Sequence, residues 1–457
     1  MMKQVPTILI SIWFVISAIA SVAQSSSVNK GIPLFNGKNL DGWHELGGNA
    51  KFEARDGMIV GTAVPHSANS FLVTNQLYDD FILDVDVKVD TGLNSGIQVR
   101  SESNPDYQNG RVHGYQVEVD PSSRAWSGGI YDEARRGWLY PLDLNPGAKK
   151  AFKNGQWNHY HIECIGNQIR TWVNGIPAAS LVDDMTHKGF IGLQVHAVDE
   201  KHAGTKVYFK NIYIQTKNLH ARPYDSIFVV NLIPNDLSPQ EMQNGVRLLW
   251  DGKTTKGWRG INQKQFPDHG WKIEDGVLTV LPSNGQEEGG GGDIVTDQEY
   301  GAFDLQFQFK LTPGANSGVK YFVKEIYDTH GKSGIGLEYQ LLDDQRHPDA
   351  KLGVNGNRTL SSLYDLIPRR HIPAAFKPVG EWNWGRIVVY PDGRVQHWLN
   401  GYLMLEYHRG DDAFKQLVFM SKYKNWQNFG LWPEGHILLQ DHGNEVSFRS
   451  IKIRILK

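Results

Sequence analysis

Phe81-Ile82-Leu83-Asp84-Val85-Asp86-Val87-Lys88-Val89 decides the fold class. Phe81, Leu83, Val85, Val87 and Val89 fall on one side of an extended chain, with Asp84, Asp86 and Lys88 on the other. That period-two pattern belongs to a strand with one face on a core. Phe303-Asp304-Leu305-Gln306-Phe307-Gln308-Phe309-Lys310 repeats it. The same alternation predicts strands at Tyr115 to Val119, His159 to Cys164, Ile169 to Val173, Lys206 to Ile214, Arg386 to Tyr390, Gln396 to Leu399 and Val446 to Ile455. Asp56-Gly57, Asp275-Gly276, Asn174-Gly175, Asp392-Gly393 and Asn400-Gly401 mark tight turns between them. No long stretch carries a helical period. The reading is all-β, with antiparallel sandwiches as the architecture.

The chain also says nearly the same thing twice. Asn94-Ser95-Gly96-Ile97 returns as Asn316-Ser317-Gly318-Val319, and Gly155-Gln156-Trp157-Asn158 as Gly380-Glu381-Trp382-Asn383. Val173-Asn174-Gly175 returns as Leu399-Asn400-Gly401, and Leu193-Gln194-Val195-His196 as Leu439-Gln440-Asp441-His442. Four echoes in one order, about half the chain apart, describe two tandem domains of one fold, each with its own core. The first is expected over residues 31–217 and the second over 244–457. A Pro-containing linker, 218–243, joins them, with Ser238 capping a short helix that has Pro239 at its first position.

Of 457 residues only Cys164 is a cysteine, so no intramolecular disulfide forms and the cores must hold the fold. Cys164 itself reads as a buried structural thiol. The net charge of −2 gives no general attraction to nucleic acid or to membrane surfaces. Lys3, the apolar run Ile8 to Ala20 and Ser21-Val22-Ala23 read as a signal peptide, residues 1–23, cleaved after Ala23. A periplasmic or secreted protein without stable membrane insertion is the expectation.

Chemistry is sought on the polar strand faces. Gln98 shares a face with Arg100, and Gln116 shares one with Glu118 and Asp120. In the second copy Lys320 stands where Gln98 does, and Glu338-Tyr339-Gln340 where Gln116-Val117-Glu118 does. Carboxylate and amide have exchanged places, yet each copy keeps one of each. His196 and His442 end the matching Leu-Gln-x-His segments, and either could join a carboxylate in acid/base work. Trp126, Tyr131, Trp138 and Tyr140 cluster around Ser127 to Glu133, which reads as a flexible polar loop, and Tyr364, Trp426, Phe429 and Trp432 cluster in the second copy. Such aromatics suit sugar stacking. His44, His66, His113, His159, His161, His187 and His202 show no metal-ligand spacing, although His159 and His161 share a strand face. Serine-hydrolase, phosphate-loop and dinucleotide motifs are absent from the sequence.

Together these residues resemble the 3-keto-disaccharide hydrolase family. The resemblance rests on Leu34-Phe35-Asn36-Gly37-Lys38-Asn39-Leu40-Asp41-Gly42-Trp43, Asn94-Ser95-Gly96, Gly155-Gln156-Trp157-Asn158, Asn174-Gly175 and the terminal Leu-Gln-x-His. The second copy is the fuller match, with Ser362-Leu363-Tyr364-Asp365 and Leu439-Gln440-Asp441-His442-Gly443. The first departs at Gln116-Val117-Glu118 and at Val195. The resemblance implies two concanavalin A-like jelly-roll sandwiches with a sugar on a concave sheet. It also implies cleavage of glycosides already oxidised at C3, by C2 proton abstraction, β-elimination and hydration. Glu338, His442 and Lys320 are then the catalytic candidates of the second copy, with Glu118, His196 and Arg100 as their equivalents in the first. Gln340, Asn316, Tyr364, Gln440, Gln116, Gln98, Tyr131 and Trp138 are the candidate sugar contacts. The implied partner is a 3-keto-glucoside or disaccharide, and a divalent metal ion is allowed without a ligand set to assign it. A non-catalytic, lectin-like sugar binder is the alternative.

Overall fold

The computed structural model describes residues 31–283, 290–328 and 331–457. The expected leader, residues 1–23, lies outside them. Among the described residues each copy is two antiparallel sheets face to face, so the sandwich read from the alternation, of the concanavalin A-like kind that the resemblance implies, is the observed fold. In the first copy Phe81–Val89 lies in the backing sheet between Asn158–Ile165 and Lys206–Gln215. Its Phe81, Leu83, Val85 and Val87 are fully buried. Phe303–Leu311 holds the same place in the second copy, between Asn383–Val389 and Val446–Ile455.

The facing sheet carries the echoed Asn-Ser-Gly strands. In the first copy it runs Gly137–Tyr140, Ile130–Glu133, His113–Val119, Ser95–Glu102, Phe190–Val195, Ser70–Thr74, Trp43–Gly47. In the second it runs Gly331–Leu342, Asn316–Asp328, Gly435–Leu439, Ile294–Tyr300, Trp258–Gly260. The extra hairpin of the first copy corrects one expectation: Ser127 to Glu133 is no flexible loop, because Ile130–Glu133 pairs with His113–Val119 and is mostly buried.

The Gly-x-Trp-Asn and Asn-Gly echoes turn out to be structural. Asn174 Nδ2 donates to Asn158 Oδ1 at 2.9 Å, and Asn400 Nδ2 to Asn383 Oδ1 at 2.7 Å. Asn174 and Gly175 have φ of 50° and 80°, the left-handed pair of a tight hairpin turn. Cys164 is buried, and burial pushes its thiol up to about 12, so it packs rather than reacts.

The segment between the copies is docked on both. Val230–Asn231 adds a parallel strand to Ile176–Val182 of the first copy. The helix Pro239–Gln243 forms as the sequence predicts, with Ser238 as cap and Glu241 closing a capping box. Glu241 then reaches Lys452 of the second copy at 2.8 Å. Phe228 stacks on Trp384, with ring centroids 6.0 Å apart. A second helix, Asp412–Met420, escaped the sequence reading because only Phe414 of its nine residues is buried. No helix among the described residues is long and apolar enough to cross a membrane.

Candidate active site

The strand pair Asn316–Asp328 and Gly331–Leu342 sets the floor of a cavity of about 230 Å³ in the second copy. Lys320 lies directly across from Glu338, and Gly318 across from Gln340. Lys320, Glu338, Gln340 and Asn316 are therefore on one face, as alternation requires. Gly318 explains its own recurrence: a Cβ there would sit 2.4 Å from Glu338 Oε1. Ser317 Oγ donates to the Gln440 carbonyl at 2.8 Å and fixes the segment that delivers His442. Asn316, Lys320, Glu338, Gln340, Tyr364, Gln440 and His442 all line this one cavity. The catalytic candidates and hydrogen-bonding sugar contacts of the second copy are thus brought together, whereas Phe429 and Trp432 do not line the cavity.

Burial raises the Glu338 carboxyl above the usual carboxylate range, while Lys320 and Lys422 pull it the other way. Lys320 Nζ is 3.8 Å from Asp293 Oδ2. Asp293 Oδ1 in turn accepts from the backbone of Asp441 at 2.9 Å. Asp441 does not face substrate. It is buried, and it accepts from the Gly292 and Gly443 backbones at 3.1 and 3.0 Å, which shapes the turn on either side of His442. The amide oxygens Gln340 Oε1 and Gln440 Oε1 are buried at this cavity without a hydrogen-bond partner. An orphaned buried acceptor is costly, and a hydroxyl-rich ligand would satisfy both.

Two cavity residues were missed, Lys422 and Tyr423. With Trp426, already among the candidate aromatics, they come from the loop after Asp412–Met420. The Lys422 ammonium lies over the Tyr364 ring, 4.2 Å from its centroid, and the burial around it and the nearby Lys320 lower its titration. The signal available was the clustering of Tyr423 and Trp426 with two lysines in one loop. Phe429, grouped with the loop aromatics, is instead core, stacked 3.9 Å from Tyr423.

The first copy holds a separate cavity of about 290 Å³. Gln116, Glu118, Tyr131, Trp138 and His196 line it, as expected. Asn94 Nδ2 donates to Glu118 Oε1 at 2.7 Å, whereas Asn316 accepts from Gln340 at 2.9 Å. The same asparagine thus serves a carboxylate in one copy and an amide in the other. Trp126 is not a sugar platform, because it is buried between Trp138 and Tyr402 of the second copy.

Arg100 and Gln98 are corrections. A bulge follows Val99, with Arg100 at φ 49°, and it turns the Arg100 side chain off the cavity face. Arg100 is 1 % exposed and donates to the Asp79 and Gly166 carbonyls and to Asp80 Oδ1, at 2.7 to 2.8 Å. The second copy repeats the bulge at Phe322, φ 52°, which is the true counterpart of Arg100. Gln98 is fully buried and donates to Gln116 Oε1 at 2.6 Å, behind the cavity rather than in it. The first cavity consequently has no lysine among its lining residues.

Burial pushes Glu118 up to about 7. The folded protein keeps this proton across a window, from about 4.5 upward, in which the unfolded chain has released it. The unfolded state binds fewer protons there, so stability should fall as pH rises from about 4.5 to about 7, by roughly 3 kcal/mol, and then level off. Glu118→Gln should flatten that slope in urea titrations near about pH 5 and about pH 8. Equal slopes in both proteins would show that Glu118 ionises as an exposed carboxylate does.

Among the described residues no group of three or more His, Cys, Asp or Glu side chains is placed to hold a metal ion. His159 and His161 instead bond Asp86 and Asp84, at 2.9 and 2.7 Å, on the backing sheet. Among the described residues the donors therefore form no cage for a resident metal.

The family model of the 3-keto-alpha-glucoside-1,2-lyase-like domain matches twice, over residues 30–215 and 245–454. A 3-keto-disaccharide hydrolase of Bacteroides thetaiotaomicron is 37% identical over 238 residues, 47% of this chain and 79% of that protein. A solved structure from Parabacteroides distasonis, described as a glycosyl hydrolase, is 30% identical with a TM-score of 0.43. It covers 49% of this chain and 100% of its own. A second from the same organism is 26% identical, covers 44% and 99%, and has a TM-score of 0.31. Two matches of one family model, falling on the two sandwiches, show that the chain belongs to the 3-keto-alpha-glucoside-1,2-lyase-like family as two tandem copies.

Proposed function

We propose that the second copy cleaves glycosides already oxidised to a ketone at C3 of the sugar. One observation carries this reading: a single cavity gathers Glu338, His442, Lys320 and Lys422 with two unpartnered amide oxygens. A C3 ketone acidifies the C2 hydrogen, which His442 takes as a proton. Negative charge then collects on the ketone oxygen, where Lys320 and Lys422 supply opposite charge. As the electrons return, the bond from C1 to the leaving oxygen breaks, and Glu338, whose protonated form burial favours, donates to that oxygen. Water adds to the resulting double bond, its proton at C2 and its hydroxyl at C1, so the net change is hydrolysis. Gln340 Oε1 and Gln440 Oε1 accept from the remaining sugar hydroxyls.

The full-length chain should release aglycone from a 3-keto-glucoside and not, at this site, from its unoxidised parent. Turnover should persist after exhaustive chelation, because the lining residues supply the charge. Binding of both compounds without turnover would favour the lectin-like alternative; loss on chelation, restored by one added ion, would overturn the metal-free mechanism. We further propose export to the periplasm or medium, on the apolar run and Ser21-Val22-Ala23, with a mature N-terminus at Gln24.

A further inference from the structure

The two cavities differ in the one respect that separates two kinds of glycoside chemistry. The second is lined by two lysines and one carboxylate, Glu338; the first is lined by two arginines, Arg111 and Arg124, and by two carboxylates, Glu118 and Glu133. Glu133 sits across from Gly114, and Tyr131 across from Gln116, so Glu118, Tyr131 and Glu133 share one sheet face. Four residues of strand and one strand spacing put the Glu118 and Glu133 Cα atoms roughly 14 Å apart. Two glutamate side chains over one cavity can then bring their carboxyl groups within the ~6.5–9.5 Å of an inverting pair.

We propose that the first copy is a second active site, hydrolysing unoxidised glucosides with Glu118 as general acid and Glu133 as general base. Glu118, buried beside Asn94 and Gln116, gives its proton to the glycosidic oxygen as the C1–O bond breaks. Burial raises the Glu133 carboxyl, and the Asn69 amide at 3.3 Å and Arg111 at 3.8 Å pull it back toward the charged form that a base needs. Glu133 takes a proton from the water whose oxygen bonds to C1. The products are the free sugar and the alcohol; Glu118 then takes up a proton and Glu133 releases one, both by exchange with solvent. Burial raises Glu118 to about 7, against the pull of Arg124 at 3.4 Å, which puts it in the range that an acid in this role requires. Trp138 and Tyr131, edge to face at 5.2 Å, wall the sugar.

The test uses the full chain carrying His442→Ala, which silences the other cavity, with 4-nitrophenyl α- and β-glucosides. One anomer should release nitrophenol, and the sugar should appear with inverted configuration by NMR. Glu118→Gln and Glu133→Gln should each lower that rate at least about 10²-fold. Added azide should restore Glu133→Ala, because it replaces the missing base's water with a nucleophile needing none. No release from either anomer, or release indifferent to both glutamines in proteins with unchanged melting, would overturn the proposal. Neither result touches the reading of the second cavity, which is decided on the keto compound.

Discussion

His442→Ala should lower kcat on a 3-keto-glucoside by roughly 10²–10⁴-fold, the usual share of one positioned acid or base. The loss should lie in kcat rather than KM, because in the proposed mechanism the imidazole acts on the C2 proton and is not needed to bind the sugar. The variant should fold normally: His442 is half-buried in a turn shaped by Asp441, and it contributes nothing to the apolar core. His196→Ala should leave this turnover unchanged, since that residue lines the other cavity. Equal losses from the two substitutions would mean that both copies perform the keto chemistry. Loss from His196→Ala alone would move that activity to the first copy.

Glu241→Ala should cost about 3–5 kcal/mol of stability, measured by urea unfolding. The Glu241 and Lys452 side chains are 2 % and 3 % exposed, with 2.8 Å between Oε1 and Nζ. Glu241 Oε2 also accepts from Asn231 Nδ2 at 2.7 Å and from the Ser238 backbone and hydroxyl at 2.8 Å. Removing the carboxylate leaves an ammonium buried with no counter-charge, and the desolvation of that ion is the main cost. Replacing both partners, as Glu241→Gln with Lys452→Met, should recover most of the loss, because no charge is then stranded. A fragment that begins at residue 244 carries the single-residue deficit. A loss under about 1 kcal/mol for Glu241→Ala would show that water reaches Lys452 and that the connecting segment is not tied to the second copy.

The two sandwiches were legible because a strand's period is two: Phe81–Val89 and Phe303–Leu311 state which face is core without reference to anything distant. The echoes located the second cavity for a related reason. Lys320, Glu338 and Gln340 keep their places on one face of adjacent strands, and register alone brings them together. Arg100 shows where local reasoning ends. Alternation put it beside Gln98 on the cavity face, but one residue at φ 49° reverses the parity of the strand. A bulge of this kind depends on how the neighbouring strand pairs, which no window of sequence contains. Lys422 and Tyr423 were invisible as cavity residues for a different reason, since they reach it from a loop about 80 residues beyond Glu338 with no period to follow.

Sequence by itself determined the all-β class, the doubling of the chain and the identity of the polar strand faces, each a property of nearest neighbours along the backbone. Tertiary structure alone decided three further points. Asp441 shapes a turn instead of facing sugar, and the connecting segment is pinned by a buried ion pair. The third point is the charged lining of each cavity: Lys320, Lys422 and Glu338 in one, and Arg111, Arg124, Glu118 and Glu133 in the other. Those outcomes depend on which side chains converge in space from segments far apart in sequence, and on how little water is left between them.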